Sequence, residues 1–419
     1  MSRRKVLWFI NDVPMAVAQS RGESSVRCGW LDSYIEIVGE EADIDLTVAF
    51  RDWTGRTPEA RIGGVTFVGL PTGDPGSGLG GVVGRWRHGM APPDVLAAAA
   101  RLVRDVEPDL VHLHGAEECF GLALRDCGVP TVLSIQGSPT VFRRLYLRGF
   151  DRYCMRSLSF VDFLKGSGFI HEHVAKKAQA ANEAVTMASV DHIAGRTDWD
   201  HRLASVMAPQ AVYHQCDEPL RPQFHQASWR VEAALPGRIV CIMSGDYLRK
   251  GVGTLLGAVD ILRRVEPGIT LILAGISPGT WHERVTMRHV RALGIGDRVT
   301  LLGKVDARTI AEELTRASVF VIPSHAENSS NALCEAQLVG VPCVASSAGG
   351  LVTIADYGSA ALLVQDGDCE ELAGAVLSLM NNPYEAARLG ERGRTLATAR
   401  HDRGRIRAQI LSIYEEMLA

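Results

Sequence analysis

The stretch that decides the fold runs from Val319 to Gly350 and reads VFVIPSHAENSSNALCEAQLVGVPCVASSAGG. Its first four residues, Val319–Ile322, are apolar and have the length of a buried strand. After a short polar loop, Ala332–Val339 has the pattern of a helix that Gly340 ends. A second apolar run, Cys343–Ser346, leads into a pair of glycines. The stretch therefore predicts a strand, a helix and a second strand in succession.

The loop before this helix has the composition of an anion-binding site. Glu327 lies on the loop, Glu335 follows eight positions later inside the helix, and Ser330 or Asn331 is the natural N-cap residue. A helix N-terminus presents unpaired N–H groups and the positive end of the helix dipole, which suits a diphosphate. The two carboxylates would accept hydrogen bonds from hydroxyl groups. We therefore expect a sugar nucleotide, in which a diphosphate joins two hydroxyl-rich rings.

Length and composition predict a globular protein of two domains. The chain has 419 residues, more than one core usually organises. Apolar residues make up 46% of the chain and charged residues 22%, as in water-soluble proteins. The formal net charge of −4 gives no reason to expect nucleic acid as a partner.

Cysteine usage and the apolar runs bear on the compartment. Nine cysteines are scattered without a C-x-x-C pair, which fits a reducing cytoplasm better than a disulfide framework. The first apolar run, Val6–Ile10, is too short for a signal peptide or a spanning helix, and no later run is long enough to span. We expect a cytoplasmic protein, with contact to the inner face of the membrane left open. The oligomeric state is not predicted.

Strand and helix patterns alternate along the first half and then start again at Arg238–Met243. Alternation of this kind implies parallel strands with helices on both faces. The fold class is therefore α/β, with two doubly wound, Rossmann-like domains facing a cleft lined by the carboxyl ends of strands. We place the first domain at residues 1–218 and the second at 219–401, with Pro219–Gln226 as the linker. A closing helix at 402–419 is expected to pack back on the first domain.

Lys250 and Gly251 open the first helix of the second domain, directly after a predicted strand. A lysine aimed into the cleft from this corner would neutralise the phosphates of a departing nucleotide. A solvated surface lysine is the alternative. The chain contains six lysines, and the placement of this one at a strand-to-helix corner favours the phosphate role.

Three other motifs are read as unrelated to ligand binding. Gly76–Gly81 matches G-x-G-x-x-G but does not follow a strand, so we expect a loop. Asp43–Asp45 and Asp366–Asp368 have the D-x-D form that holds a metal and diphosphate in other sugar transferases. The first lies at the start of a strand, and Asp368 is better explained as an N-cap. We therefore predict no metal site.

Two further features leave alternatives open. His114 comes where a strand should end, either as a turn histidine packed on its loop or as a ligand contact. Arg144, Arg148, Arg152 and Arg156 recur every four residues with aromatic residues between them. On a helix they would form a solvated face, an anionic acceptor site or a patch for a membrane surface.

Taken together, these residues resemble the retaining glycosyltransferases of family 4, which have the GT-B fold. Glu327 and Glu335 match the family's E-x7-E motif, and Lys250 matches its phosphate-binding lysine. Pro108–Gly115, reading PDLVHLHG, looks like the family's common first-domain strand.

The resemblance extends to a bacterial subset that includes many capsular and polysaccharide enzymes. Arg196–Asp200 and Arg400–Asp402 are similar to signatures of that subset.

The resemblance implies a role for each site residue. Glu327 would contact the hydroxyls of the donor sugar, and Glu335 those of the nucleotide ribose. Lys250 would stabilise the departing nucleotide diphosphate, where charge develops. Amides near Ser330, Asn331, Ala332 and Leu333 would meet the sugar and diphosphate. The family uses a nucleotide-diphosphate sugar as co-substrate, with no metal or other cofactor, and retains the anomeric configuration.

The sequence departs from the family pattern at three places, one of which is Thr353, near where many relatives have a glutamate shortly after the glycine pair. Many relatives have an arginine where this chain has Ser244, next to Gly245, and the adjacent Arg249 is the candidate replacement for it. Many have histidine where Gln136 precedes Gly137, and glutamine cannot shuttle protons. The residues expected around the acceptor in the first domain are Gly29, His114, Gln136, Gly137 and Arg196.

The sequence therefore predicts a retaining, metal-independent glycosyltransferase. Its acceptor would be a carbohydrate, such as a polysaccharide or lipid-linked glycan, or a small molecule as in antibiotic biosynthesis. Two rivals are a nucleotide-sugar epimerase on the same architecture and a sugar-nucleotide-binding module without catalysis.

Overall fold

The structure, a computed structural model, divides the chain into two compact units. The residues that it describes are 3–23, 29–52, 55–71, 78–86, 92–125, 127–243 and 246–419. The first unit comprises Met1–Arg143, Val161–Pro219 and His401–Ala419, and the second comprises Arg144–Phe160 and Leu220–Arg400. The sequence analysis placed residues 144–160 in the first domain, whereas the structure groups them with the second unit.

Among the described residues, the first unit is built on an eight-stranded sheet. Its strands are β1 (Arg4–Ile10), β2 (Ile44–Asp52), β3 (Ala60–Ile62), β4 (Val65–Pro71), β5 (Leu110–His114), β6 (Thr131–Ser134), β7 (His192–Gly195) and β8 (Val212–Gln215). Their order is β3-β4-β2-β1-β5-β6-β7-β8, and all neighbours are parallel except β3 and β4.

The second unit contains a six-stranded parallel sheet. Its strands are β9 (Arg238–Ile242), β10 (Thr270–Ala274), β11 (Val299–Gly303), β12 (Val319–Ile322), β13 (Cys343–Ser346) and β14 (Leu362–Val364). Their order, β11-β10-β9-β12-β13-β14, is that of a dinucleotide-binding sheet, in which the strand order reverses between the first and fourth strands. The prediction of an α/β fold with two Rossmann-like domains is therefore confirmed.

Helices connect the strands and cover the sheets. They are α1 (Met15–Ser20), α2 (Gly29–Gly39), α3 (Gly78–Trp86), α4 (Pro93–Val106), α5 (Phe120–Leu124), α6 (Pro139–Leu145), α7 (Arg152–Ser157), α8 (Phe160–Lys165), α9 (Gly168–Met187), α10 (Asp198–Met207), α11 (Pro222–Gln226), α12 (Val252–Leu262), α13 (Trp281–Leu293), α14 (Ala307–Thr315), α15 (Asn331–Val339), α16 (Leu351–Ile354), α17 (Cys369–Asn381), α18 (Pro383–Arg400) and α19 (Arg403–Met417), with 3-10 turns at Val231–Ala233 and Asp356–Gly358. Of the described helices, none is long and apolar enough to cross a membrane.

Three local expectations need correction. The glycine stretch expected to be a loop is helical from Gly78 onward, and Gly76 lies outside the described residues. The predicted linker contains the short helix α11, whose Phe224 is fully buried. The arginine stripe is not one helix, because the chain leaves the helical conformation between Leu145 and Arg152.

Strand β1 shows why its sequence is a continuous apolar run. Val6, Trp8 and Ile10 pack in one core of the first unit, and Leu7 and Phe9 pack in another. Successive side chains of a strand point to opposite faces, so the stretch of β1 that is covered on both faces, Val6–Ile10, is apolar at every position. The same reasoning applies to β12, whose four residues are all buried.

The helix α19 packs on the first strand of the first unit through buried polar contacts. The Trp8 indole N–H donates to the Tyr414 hydroxyl at 2.9 Å, and that hydroxyl lies 2.8 Å from His112 Nδ1. His112 Nε2 lies 2.7 Å from the Ser134 hydroxyl. The Tyr414 oxygen accepts from Trp8, and the His112 ring bridges Tyr414 and Ser134, with the donor at each of these two contacts set by the His112 tautomer.

Candidate functional site

Lys250 and Glu327 follow the two strands between which the strand order of the second sheet reverses. Lys250 comes after β9 and Glu327 after β12, and these strands are neighbours. Ligands of doubly wound sheets bind outside the carboxyl ends of the strands at such a reversal. The topology therefore brings together two residues that are 77 positions apart in the sequence.

A glycine allows the two loops to approach each other. Gly251 has a φ of +65°, and a Cβ atom at this position would lie 2.0 Å from the carbonyl oxygen of Pro323. Any other residue would therefore force the turn after β9 away from the end of β12. The backbone N–H of His325 donates to the carbonyl of Arg249 at 2.8 Å and joins the same two loops.

Glu327 is buried and held by three side chains. Its carboxylate forms an ion pair with the Lys250 ammonium, lies 3.4 Å from Nη1 of Arg249, and accepts a hydrogen bond of 3.0 Å from the Ser324 hydroxyl. Glu327 is 5% exposed and Lys250 8% exposed. The structure therefore brings together the two residues predicted as catalytic.

The pKa values at this pair reflect burial and mutual charge. Burial alone would raise the pKa of Glu327, but Lys250 and Arg249 outweigh it, and the pKa lies below its ordinary value. The pKa of Lys250 is also lowered, because burial and the neighbouring Arg249 outweigh the attraction of Glu327. Glu327 is therefore ionised at neutral pH.

Arg249 supplies a second cation beside Lys250. Its guanidinium donates to Asp246 at 3.2 Å and to the carbonyl of Ala326 at 3.2 Å. Its pKa is raised, because Glu327 and Asp246 outweigh the effect of burial. Arg249 was expected to replace the arginine that many relatives have at the position of Ser244, and its place beside Lys250 agrees with that expectation. Ser244 and Gly245 lie outside the described residues.

The helix α15 begins directly after this carboxylate. Ser330 occupies the N-cap position without a side-chain hydrogen bond to the helix, and Asn331, Ala332 and Leu333 form the first turn. The N–H groups of a first turn have no acceptor within their own helix. They carry the positive end of the helix dipole beside Glu327.

The glycine pair after β13 fixes the backbone of the Glu327 loop. Gly349 has a φ of +55°, and a Cβ atom there would lie 1.8 Å from the carbonyl oxygen of Glu327. The N–H of Gly350 donates to the same oxygen at 3.3 Å. A larger residue at Gly349 would displace Glu327, which explains why a glycine stands there.

Glu335 lies inside α15 and is paired with a residue that the sequence analysis did not identify. Arg221 donates to one carboxylate oxygen of Glu335 from Nε at 3.0 Å and from Nη2 at 2.7 Å. Burial raises the pKa of Glu335 and Arg221 lowers it, with a net increase. Arg221 lies in the predicted linker, where no periodic pattern indicated a functional residue.

A second missed contact joins residues 144–160 to the loop of Glu327. Arg148 donates to Asp366 at 2.5 Å, and His325 Nδ1 lies 3.4 Å from the same carboxylate. A Cβ atom at Gly149 would lie 3.4 Å from His325 Nε2. Burial lowers the pKa of His325, although the neighbouring Asp366 acts to raise it.

Asp368 is the N-cap of α17, as predicted, and accepts from the N–H of Glu371 at 2.7 Å.

In the first unit, Gln136 and Arg196 meet at one carboxylate. Both donate to Glu218, Gln136 at 2.5 Å, and Arg196 also donates to the carbonyl of Ile135 at 3.1 Å. Arg196 and Glu218 are buried, 6% and 3% exposed. These contacts give Gln136 and Arg196 a structural function in joining strands of the first sheet, besides any contact with an acceptor.

His114 is buried among aromatic rings at the end of β5. Its ring lies 4.3 Å from that of Trp8 and 4.0 Å from that of His112, and neither ring nitrogen has a hydrogen-bond partner among the residues that the structure describes. Burial and His112 hold the pKa of His114 well below its usual range, so the ring is neutral. Gly29 begins α2, directly before Trp30, whose ring lies 6.4 Å from His114.

Two polar residues beside Gly137 were missed by the sequence analysis. Glu117 accepts a hydrogen bond of 3.0 Å from Asn11, and its other oxygen lies 3.6 Å from where a Cβ of Gly137 would stand. Burial raises the pKa of Glu117 to about 7. Asn11 and Glu117 follow β1 and β5, the neighbouring strands at which the order of this sheet reverses. Only that topological position could have indicated them.

One group of potential metal ligands occurs in the described part of the chain. His192, His214 and Glu416 lie together in the first unit. His192 Nδ1 and His214 Nε2 are 2.8 Å apart and share a hydrogen bond, and Glu416 lies 3.9 Å from His214 Nδ1.

Residues 237–382 match the family model described as Glycosyl transferases group 1. This range contains the Lys250–Glu327 pair and the helix α15. The match supports the resemblance to glycosyltransferases for this part of the chain, whereas the capsular subset and the retaining mechanism stay predictions.

Curated relatives are enzymes that transfer sugars. The chain is 34% identical to MMP alpha-(1->4)-mannosyltransferase of Mycolicibacterium hassiacum over 190 residues, and these residues make up 45% of each chain. It is 31% identical over 156 residues to D-inositol 3-phosphate glycosyltransferase 2 of Catenulispora acidiphila, 37% of this chain and 36% of that one. It is 25% identical over 364 residues to alpha-D-kanosaminyltransferase of Streptomyces kanamyceticus, 83% and 87% of the two chains. The matches thus span less than half of the first two relatives and most of the third.

Solved structures share the architecture along nearly the whole chain. Sucrose-phosphate synthase from Thermosynechococcus elongatus superposes with a TM-score of 0.74 at 19% identity, over 99% of both chains. Anabaena HepE in complex with UDP-glucose gives a TM-score of 0.64 at 15% identity, over 98% of this chain and 99% of that one. At these identities the similarity establishes the fold, the GT-B architecture of two Rossmann-like domains.

Proposed function

We propose that the protein is a retaining, metal-independent glycosyltransferase that moves a sugar from a nucleotide-diphosphate sugar to an acceptor hydroxyl. The observation that carries the proposal is the pairing of Lys250 with Glu327 at the reversal point of the second sheet. The family match over residues 237–382 and the transferase names of the relatives support it. They do not favour an epimerase or a non-catalytic binding module.

The charges at the site suggest how the donor would be accommodated. Arg249 and Lys250 face the carboxylates of Asp246 and Glu327, so two cations meet two anions at this site. A diphosphate entering beside α15 would attract the Lys250 ammonium away from Glu327. The carboxylate of Glu327 would then accept hydrogen bonds from the sugar hydroxyls, and Lys250 would stabilise the charge on the leaving nucleotide.

The remaining donor contacts follow from α15. The amides of Asn331, Ala332 and Leu333 would bind the sugar and diphosphate at the helix N-terminus. Glu335 would accept hydrogen bonds from the ribose, and Arg221 would keep that carboxylate ionised and oriented. Attack from the face that the nucleotide leaves would retain the anomeric configuration without a metal ion.

The acceptor is proposed to be a carbohydrate or a small hydroxyl-bearing molecule, as in polysaccharide or antibiotic biosynthesis, and the location to be cytoplasmic. Anabaena HepE was solved with UDP-glucose, so uridine nucleotides are the first donors to test. Thermal stabilisation by UDP-, GDP- and dTDP-sugars would identify the base, because a ligand that binds only the folded state raises the unfolding temperature.

The activity is tested by comparing Lys250→Ala and Glu327→Ala with two exposed controls, Lys304→Ala and Glu312→Ala. Donor turnover and product formation are measured with the donor found in the thermal screen. We expect the two site variants to lose about 100-fold to 1,000-fold in kcat, the scale for groups that stabilise transition-state charge. The controls should remain at the wild-type rate. Wild-type rates in both site variants would refute the assignment.

The mechanism needs separate measurements. Turnover should persist in excess chelator, and the product anomer, determined by NMR, should match that of the donor. Strict dependence on a divalent ion or an inverted product would refute the metal-independent, retaining mechanism. Conversion of the donor to an isomeric nucleotide sugar without acceptor would identify an epimerase instead.

A further inference from the structure

The group formed by His192, His214 and Glu416 lies on the face of the first sheet that α19 covers. His192 and Ala194 are two positions apart in β7 and therefore point to the same face, and His214 in β8 is the register partner of Ala194. Ala194 belongs to the same core cluster as Met417 of α19. The two histidines therefore face the closing helix, at the end of the sheet order where β8 is the last described strand.

The two histidine rings have fewer hydrogen bonds than His112, which belongs to the same sheet. His112 has a partner at each ring nitrogen, Tyr414 at 2.8 Å and Ser134 at 2.7 Å. His192 Nδ1 and His214 Nε2 lie 2.8 Å apart and share one hydrogen bond, and no other hydrogen bond reaches either ring from the described part of the chain. The hydrogen bonding of this pair is therefore incomplete within the protein.

Two imidazoles and a carboxylate form a donor set for a divalent transition metal. One ligand atom from each of His192, His214 and Glu416 lies within 4.8 Å of the other two. Imidazole nitrogen suits zinc and its neighbours in the first transition row, whereas magnesium and calcium prefer sites made of oxygen alone. The presence of two nitrogens therefore selects a zinc-like ion.

The distances require only local movement to fit such an ion. Zinc binds nitrogen and oxygen at about 2.0–2.1 Å, so neighbouring ligand atoms of a tetrahedral site are about 3.3 Å apart. The facing nitrogens of His192 and His214 would separate by about half an ångström from their 2.8 Å contact and turn toward the ion. Glu416, whose side chain is 56% exposed, is free to move inward, and water would be the fourth ligand.

The protonation state of the pair is suitable for binding. An N–H···N hydrogen bond needs an unprotonated nitrogen as acceptor, so at least one of the two rings is neutral. When both are neutral, the shared proton can move to the other nitrogen of its own ring, and both facing nitrogens then offer a lone pair. Glu416, 3.9 Å from His214 Nδ1, supplies the negative charge that a dication requires.

We propose that His192, His214 and Glu416 bind one divalent transition-metal ion, with zinc as the ion that the donor set fits. The ion connects β7 and β8 to α19, the helix that also supplies the Tyr414 hydroxyl to Trp8 and His112. Its role is to hold the closing helix on the first sheet. It provides no group to the proposed sugar transfer, so this proposal and the proposed function are tested separately.

Zinc binding is measured by calorimetry on the full chain, after chelator treatment and removal of the chelator. The ligand variants are Glu416→Gln and the double variant His192→Gln with His214→Gln. Glu416 is exposed and keeps its size in the first variant, so that variant tests the proposal even where the double variant fails to fold.

Each ligand variant has a matched control. Glu415→Gln replaces the neighbouring exposed glutamate of α19. The double variant His171→Gln with His173→Gln replaces two histidines of α9 that lie outside the proposed site. Circular dichroism verifies that each variant is folded.

We expect the wild type and both controls to bind one zinc ion per chain and to unfold at a higher temperature in its presence, because the ion binds the folded state. The ligand variants should bind zinc at least about tenfold more weakly and lose this stabilisation. Magnesium at the same concentration should not stabilise the wild type. Absence of zinc binding by the wild type would overturn the proposal, since the histidines would then be a hydrogen-bonded pair only. Equal binding by the ligand variants would overturn it as well, because zinc would then be held elsewhere.

Discussion

The ion pair between Lys250 and Glu327 predicts that replacements of its two members are strongly coupled. Lys250→Met and Glu327→Gln each remove one charge while nearly preserving side-chain size. The side chains are 10% and 6% exposed, so either single variant leaves the other charge buried with a poorer set of partners. The double variant removes both charges and leaves neither of them uncompensated.

The magnitude follows from what remains around each charge. Removing one partner of a buried ion pair costs about 3–5 kcal/mol of folding free energy. After Lys250→Met, Glu327 keeps Arg249 at 3.4 Å, which places the cost toward the lower end. After Glu327→Gln, Lys250 faces Arg249 as a like charge, which places it toward the upper end. The double variant should lose less than the sum, with a coupling of about 2–4 kcal/mol.

The assay is urea unfolding of the full chain, followed by circular dichroism and tryptophan fluorescence, for the wild type, both single variants and the double variant. The exposed pair of Arg388 and Glu385 provides a matched control cycle, Arg388→Met with Glu385→Gln. An exposed pair should couple by less than about 1 kcal/mol. A coupling between Lys250 and Glu327 no larger than the control value would refute the reasoning.

Three further predictions follow from single residues. The pKa of Glu117 is raised from 4.5 to about 7, so between these pH values the folded chain binds one proton more than the unfolded chain. The free energy of unfolding should therefore fall by about 2–3 kcal/mol as the pH rises through this range. Glu117→Gln should remove this decline in unfolding experiments at pH 5 and pH 8, and a wild type equally stable at both would contradict it. Gly251→Ala should destabilise the chain by at least about 2 kcal/mol, more than Gly294→Ala, because both glycines have φ near +65° but only Gly251 meets a carbonyl oxygen. Equal melting temperatures of the two alanine variants would count against this. Arg221→Ala should weaken nucleoside diphosphate binding about tenfold by calorimetry, since Glu335 loses a charge-assisted partner, and unchanged affinity would exclude that role.

The sequence predicts most of the fold because the patterns that define it are local. The buried strand β12, the helix after it and the terminating Gly340 are each encoded within a few neighbouring residues. Lys250 and Glu327 could be identified for the same reason, since each follows a recognisable strand. Their direct contact depends on β9 and β12 being neighbours, which the strand order of the second sheet shows.

The contacts that were missed depend on residues far apart in sequence. Arg221 and Glu335 are 114 positions apart, and Arg148 and Asp366 are 218 positions apart. No local pattern indicates which arginine reaches which carboxylate. The raised pKa of Glu117 likewise arises from burial by the folded chain, which composition and spacing do not reveal.

The hydrogen bonds that join Trp8, Tyr414 and His112 link parts of the chain that lie far apart in sequence. The Trp8 indole donates across 406 positions to the hydroxyl of Tyr414, which belongs to the same compact unit. A fragment that ends before α19 would therefore leave the Trp8 indole and the His112 ring without their shared partner, although it would keep every strand of the first sheet.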